Sequence, residues 1–141
     1  MPQPTWVIMP VVTGLEMTEA ATSDCLGQSV PTRILVVNQG ADDRIRQRLE
    51  RLAEEYSDRI FVWSHDPSLP SLSGTWNRAL DFVWATTPSD QPWPAQAVVV
   101  NNDVRLHRQT VHGLMCVRGA FDALFVSAVG VYPVRTVLAL D

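Results

Sequence analysis

The sequence contains no lysine: its eleven basic residues are all arginine, against fifteen acidic ones. Without lysine there is neither a P-loop lysine nor a Schiff-base amine, which removes two classes of chemistry at once. A formal net charge of −4 argues against a nucleic-acid partner, because neutralising phosphates needs a basic face. No apolar run approaches the roughly 20 residues that a membrane-spanning helix requires. The opening "MPQPTWVIMP" has no basic region and no long apolar core, so it does not read as a signal peptide. There are only two cysteines, Cys25 and Cys116, far apart and outside any C-x-x-C pair. Two buried, reduced thiols in a cytoplasmic protein are the default reading; a disulfide between them is left open. Also missing are G-x-S-x-G, the P-loop, G-x-G-x-x-G, internal repeats and low-complexity tracts. His65, His107 and His112 read as lacking metal-ligand spacing with cysteines or acids.

What is present is an alternation of apolar runs and helical patterns. "TWVIMPVV" (5–12) reads as a buried strand ending near Pro10, and "TRILVVNQG" (32–40) as a second. "RIFVWSHD" (59–66) and "AQAVVVNND" (95–103) follow as a third and fourth, and "ALFVSAVGVYPV" (123–134) as a fifth. Between them, 15–29 is a helix with Met17, Ala21 and Cys25 on one face. The clearest helix lies within 41–59, with Ile45, Leu49, Leu52, Ala53 and Tyr56 at helical spacing and Asp42 and Asp43 at its positive end. A third helix begins at Ser71 or Ser73 and buries Trp76, Leu80, Val83 and Trp84; a fourth spans about 108–119. Trp6 and Trp63 also read as core. Continuous rather than alternating apolar strands, separated by helices, predict a single α/β domain over 1–141. Its architecture is a Rossmann-like, mostly parallel sheet with helices on both faces.

In such sheets ligands sit beyond the carboxyl ends of the strands. Three of those ends are polar: Thr13-Gly14, Asn38-Gln39-Gly40 and Asn101-Asn102-Asp103. If the strands are neighbours, these groups share one crevice. Asp103 is the only acid among them. One carboxylate facing open space suits Mg²⁺ or Mn²⁺, which complete their shells with water and phosphate oxygens. The amides suit ribose hydroxyls or a base edge. The competing reading is that Asn and Asp stand there because they form turns.

Four segments carry a resemblance. "WVIMPVVTG", "CLGQSVPTRILVVNQGADD", "SGTWNRALDFVW" and "VVVNNDVRL", in this order and spacing, make the chain from Trp6 to about Val131 resemble the family 2 glycosyltransferases of the GT-A fold. Gln28, Val36, Val37, Gly40 and Asp43 fall in register with the second family segment, and Gly74 and Asn77 with the third. The resemblance implies transfer of a sugar from a nucleoside diphosphate, with Pro10, Val11 and Thr13 against the nucleotide. It puts Asn38 and Gln39 near the base and ribose, and Asn77 beside the donor. Asn101 and Asn102 take the first positions of the D-x-D motif, and Asp103 its metal-ligating last position.

The departures from the family have chemical content. Asn38 and Asn101 replace acids, so hydrogen bonds are kept while charge, and with it metal affinity, is reduced. Trp76 stands where the family has a basic residue, with Arg78 one position later. Family members continue past the D-x-D strand into a half that binds the acceptor and supplies a general base. Here the only acids after Asp103 are Asp122, which reads as a turn or cap, and Asp141. The expectation is therefore a donor half without its acceptor half, binding a nucleotide sugar with or without turnover. The alternatives are a non-catalytic relative completed by a partner chain, a nucleotidyltransferase, and a ligand-free regulatory domain. His65-Asp66 could face the nucleotide or form a loop pair, and Trp93 could stack on a sugar or cover the sheet edge. Pairing through an exposed edge would make a homo-oligomer.

Overall fold

A computed structural model describes residues 4–40, 42–64, 71–86, 90 and 96–121 of the chain. Four strands, β1 (Thr5–Val11), β2 (Thr32–Asn38), β3 (Ile60–Ser64) and β4 (Ala97–Val99), form one sheet in the order β3-β2-β1-β4. Every pairing is parallel. The helices are α1 (Leu15–Leu26), α2 (Asp43–Glu55), α3 (Leu72–Ala85) and α4 (Thr110–Phe121). The α/β class and the parallel, helix-covered sheet are those expected from the sequence. The fifth strand expected at 123–134, and His65, Asp66, Trp93, Asp122 and Asp141, lie outside the described residues.

The two faces of β1 and β2 explain why Trp6–Val11 and Ile34–Val37 are unbroken apolar runs, with Thr5, Thr32, Arg33 and Asn38 confined to the strand ends. Val7, Met9, Val11, Ile34 and Val36 pack with Ala21 and Cys25 of α1 and Ile45, Leu49 and Leu52 of α2. The alternate residues Trp6, Ile8, Leu35 and Val37 pack with Ala79 and Val83 of α3. The middle of a strand buried on both sides favours apolar side chains at consecutive positions. Helix α2 is capped by Asp42, whose carboxylate accepts from the Ile45 N–H at 3.0 Å. Of the two serines that could open α3, Ser71 does so, accepting from Gly74 N–H at 3.0 Å.

Several expectations need correction. Met17 is exposed, and α1 turns Thr18, Ala21, Thr22 and Cys25 to the sheet instead. The threonines hide because their hydroxyls have partners: Thr18 donates to the Gly14 carbonyl at 2.7 Å, and Thr22 points at the Met9 sulfur. On α3 the fully buried positions are Thr75, Ala79 and Val83; Trp76 and Leu80 are half-buried and Trp84 is exposed. Small residues let that helix approach the sheet closely, and the large rings are displaced to its flanks. Trp6 is core as expected, while Trp63 is only half-buried. Cys25 is buried but Cys116 is exposed, and both are free thiols.

The strand expected to reach Asp103 stops at Val99. Trp6 N–H donates to the Gln96 carbonyl, and Val100 N–H donates to the Ile8 carbonyl, both at 2.9 Å. Amide groups facing β4 therefore come from residues 6 and 8, and the next rung belongs to residue 10. That residue is proline, which has no N–H to give. On its other side β1 continues to Val11, paired with Asn38 of β2. Pro10 thus ends one ladder while leaving the other intact, and the chain beyond Val100 peels away from the sheet.

Candidate functional site

Because β1 lies between β2 and β4, the carboxyl ends of all three strands are adjacent. Hydrogen bonds tie the turns that follow them. Gln39 N–H donates to the Val11 carbonyl at 2.9 Å, and Asn102 Nδ2 donates to the Thr13 carbonyl at 2.7 Å. The same Nδ2 donates to Thr18 Oγ1 at 2.9 Å. The turn after β4 is in this way fastened to the turn after β1 and to the first turn of α1. That turn is tight: Gly14 has φ +84°, and a Cβ there would lie 2.6 Å from the Met17 methyl. A left-handed backbone under a crowded side chain needs glycine. Gly40, with φ +85°, makes the corresponding turn after β2.

The residues singled out from the sequence divide by role. Pro10 and Val11 are buried in β1, with Val11 wholly inside the core, so what they offer the crevice is backbone shape. Thr13 is exposed at the crevice edge, and its carbonyl is taken by Asn102. Asn38 is buried at the end of β2 beside Ser64 of β3. Gln39 is half-buried, and its Nε2 donates to Thr75 Oγ1 of α3 at 2.8 Å. Asn101 and Asp103 are exposed, and Asn102 between them is half-buried. With both amide hydrogens of Asn102 committed to Thr13 and Thr18, its remaining polar atom is Oδ1. Asn77 is exposed on α3 and bonds to none of the other candidates among the described residues. The strand-end residues are therefore brought together, while Asn77 is connected to them only through Thr75, two positions earlier on the same helix.

Asp103 makes no ion pair among the described residues. The nearest arginine in sequence, Arg105, is engaged elsewhere: it grips Asp24 of α1 through two bonds of 2.7 and 3.1 Å. Asp24 also accepts from Leu106 N–H at 2.9 Å. The Arg105 guanidinium, opposed by burial and helped by this amide, holds the Asp24 carboxyl below its ordinary value. No group of three or more His, Cys, Asp or Glu side chains gathers among the described residues. A cation at Asp103 would thus find fewer than three such ligands among the described residues, leaving other oxygen donors to fill its shell. That donor set suits Mg²⁺ or Mn²⁺, which bind through one or two carboxylates plus phosphates, and it does not suit a softer ion.

Position 76 bears on the family comparison. The Trp76 Nε1–H is buried and has no hydrogen-bond partner among the described residues. Arg78, the nearby base, lies over the Trp63 ring at 5.8 Å from its centroid. Thr18 and Thr75 were not legible as site residues, since each looked like an ordinary polar helix position. The one available signal for Thr75 was a polar residue four places after the Ser71 cap, on the face that α3 buries.

Gln28 anchors the far end of α1. It donates from Nε2 to the Asp24 and His107 carbonyls at 3.0 and 2.9 Å, and its Oε1 accepts from Val111 N–H at 3.0 Å. Ser29 N–H adds a bond of 2.7 Å to the Arg108 carbonyl. The segment after Asp103 is thereby clamped along α1 as far as the start of α4.

No family model matches the chain, and a search of curated proteins finds no match. Solved structures do match in fold. The mannosyltransferase PcManGT from Pyrobaculum calidifontis, in complex with GDP-Man and Mn²⁺, superposes with a TM-score of 0.62 at 18% identity, over 79% of this chain and 31% of that one. S. aureus TarS 1-349 gives 0.60 at 14% identity, over 84% of this chain and 33% of that one. A second TarS structure gives 0.61 at 15% identity, over 85% and 20%. The chain spans a third or less of the length of each. No helix among the described residues is long and apolar enough to cross a membrane. The chain thus has the GT-A-type fold of glycosyltransferases.

Proposed function

We propose that the chain is the donor-binding half of a glycosyltransferase. It would hold a nucleoside-diphosphate sugar in the crevice beyond β1, β2 and β4, with one Mg²⁺ or Mn²⁺ at Asp103. The observation that supports this reading is that hydrogen bonds join the turns after β1, β2 and β4, the last of which carries the exposed carboxylate of Asp103, with no ion pair among the described residues. The GDP-Man and Mn²⁺ in the mannosyltransferase neighbour support the ligand class. In this reading Gln39 and Asn38 line the base and ribose side and Asn101 meets the sugar or diphosphate. The backbone of Pro10, Val11 and Thr13 forms the floor, and Asn77 approaches from α3. The cation, held by Asp103, neutralises charge on the diphosphate leaving group. The acceptor site and general base belong to residues beyond this half or to a partner chain. Two free thiols support a reducing, cytoplasmic setting.

Asn38 and Asn101, standing where the family has acids, favour a second reading in which the domain binds donor without turning it over. A thermal shift with UDP-, GDP- and dTDP-sugars, with and without Mn²⁺, tests the binding proposal: at least one donor should raise Tm. Asp103→Asn should remove the Mn²⁺-dependent part. If no donor shifts Tm, the reading fails, and if Asp103→Asn leaves the Mn²⁺ increment intact, the metal assignment fails. Hydrolysis or transfer of the bound sugar decides between catalysis and binding alone.

A further inference from the structure

His112 and Cys116 lie one helical turn apart on α4, both exposed. Their Nε2 and Sγ atoms are 3.5 Å from each other. Side chains at i and i+4 share a helix face, so both donor atoms point into the same space. The surroundings are open: Gly113, beside His112, is exposed, and a Cβ added there would meet nothing within 4 Å. Zinc sits about 2.3 Å from a thiolate sulfur and about 2.0–2.1 Å from an imidazole nitrogen. At a tetrahedral angle those bond lengths put the two donors about 3.5 Å apart, the separation found here. A thiol–imidazole hydrogen bond has similar length, so the pair can exchange a shared proton for a metal without moving the helix.

We propose that His112 and Cys116 form a two-ligand site for a thiophilic divalent cation of the zinc class on the open face of α4. Binding replaces the thiol proton, which leaves to solvent, with a sulfur–metal bond, and Nε2 supplies the second bond from neutral imidazole. Among the described residues no third His, Cys, Asp or Glu completes a set. Water holds the remaining positions, and affinity lies far below that of a closed four-ligand site. The site is separate in chemistry from Asp103, whose single oxygen donor selects a hard ion.

Cobalt(II) titrated into the full chain reads the proposal directly. A thiolate-to-cobalt charge-transfer band should grow in and be displaced by Zn²⁺ but not by Mg²⁺. Cys25 is buried, and burial pushes its thiol up to about 12, with nearby Asp24 adding to the effect, so the band and any thiol labelling report on Cys116. Zn²⁺ should slow labelling of Cys116 by an aromatic disulfide on the order of tenfold. Cys116→Ser should abolish the band, and His112→Ala should remove both band and protection. Both side chains are exposed, so neither variant threatens the fold, and the wild-type labelling experiment stands without them. Absence of a band and of protection in the wild type overturns the proposal, as does their survival in His112→Ala or survival of the band in Cys116→Ser.

Discussion

The Nδ2 of Asn102 lies 2.7 Å from the carbonyl oxygen of Thr13, which joins two turns that are far apart in the chain. With its second bond to Thr18, this amide organises the edge of the crevice. Asn102→Ala should cost about 1 kcal/mol by urea unfolding, because the buried Thr18 hydroxyl loses its donor while water replaces it at the exposed Thr13 carbonyl. Asn102→Asp should cost at least as much, since a carboxylate oxygen would then face the Thr13 carbonyl. An Asp variant as stable as the wild type would show that the amide is not the organising group.

Pro10 withholds the N–H that would extend the β1–β4 ladder. Pro10→Ala should supply it, drawing Val100 and the following turn toward β1. The amide created at position 10 should be protected in hydrogen exchange. Donor-sugar affinity should fall by about tenfold, equivalent to about 1.4 kcal/mol, as the crevice narrows. Unchanged affinity together with a fast-exchanging amide at position 10 would sink this account.

Asn101 is exposed, two positions before the exposed Asp103. Asn101→Asp adds a second carboxylate to a site that has one, and ligand charge count tunes the affinity of oxygen sites. Mn²⁺ affinity in the presence of donor should rise on the order of tenfold. Isothermal titration checks this, and a fall or no change would place the cation away from position 101.

The Asp24–Arg105 pair makes stability depend on pH in a defined direction. Asp24 is held below its ordinary value near 3.8, first by the Arg105 hydrogen bonds. A carboxylate depressed in the folded state stabilises the fold above its unfolded pKa, and that contribution is lost as pH falls through the folded value. The stability gap between wild type and Arg105→Ala should therefore be flat from pH 7 to about 5 and shrink as acid protonates Asp24 below about 4. Urea unfolding across that range tests it; a gap that widens toward acid would contradict the assignment.

Much of this was legible from residue patterns. β1 and β2 are doubly covered, so their central positions are all apolar, and α2 shows three buried residues at helical spacing under an aspartate cap. The faces of α1 and α3 were harder. Thr18, Thr22 and Thr75 look polar in a sequence, and only their partners in space make them core residues. The end of β4 was hidden for a different reason: it is decided by a proline on the neighbouring strand, about ninety positions away. The four-residue spacing of His112 and Cys116 is itself legible in the sequence, against the expectation that no histidine has metal-ligand spacing with a cysteine.

The clamp between α1 and the segment 105–111 bears on how a ligand would be met. The turn carrying Asp103 is anchored before it by Asn102 and after it by Arg105, Gln28 and Ser29. A loop fixed at both ends surrenders its disorder when the chain folds, not when a guest arrives. Association at Asp103 would then begin from a prepared frame, and its speed would be governed by encounter more than by rearrangement.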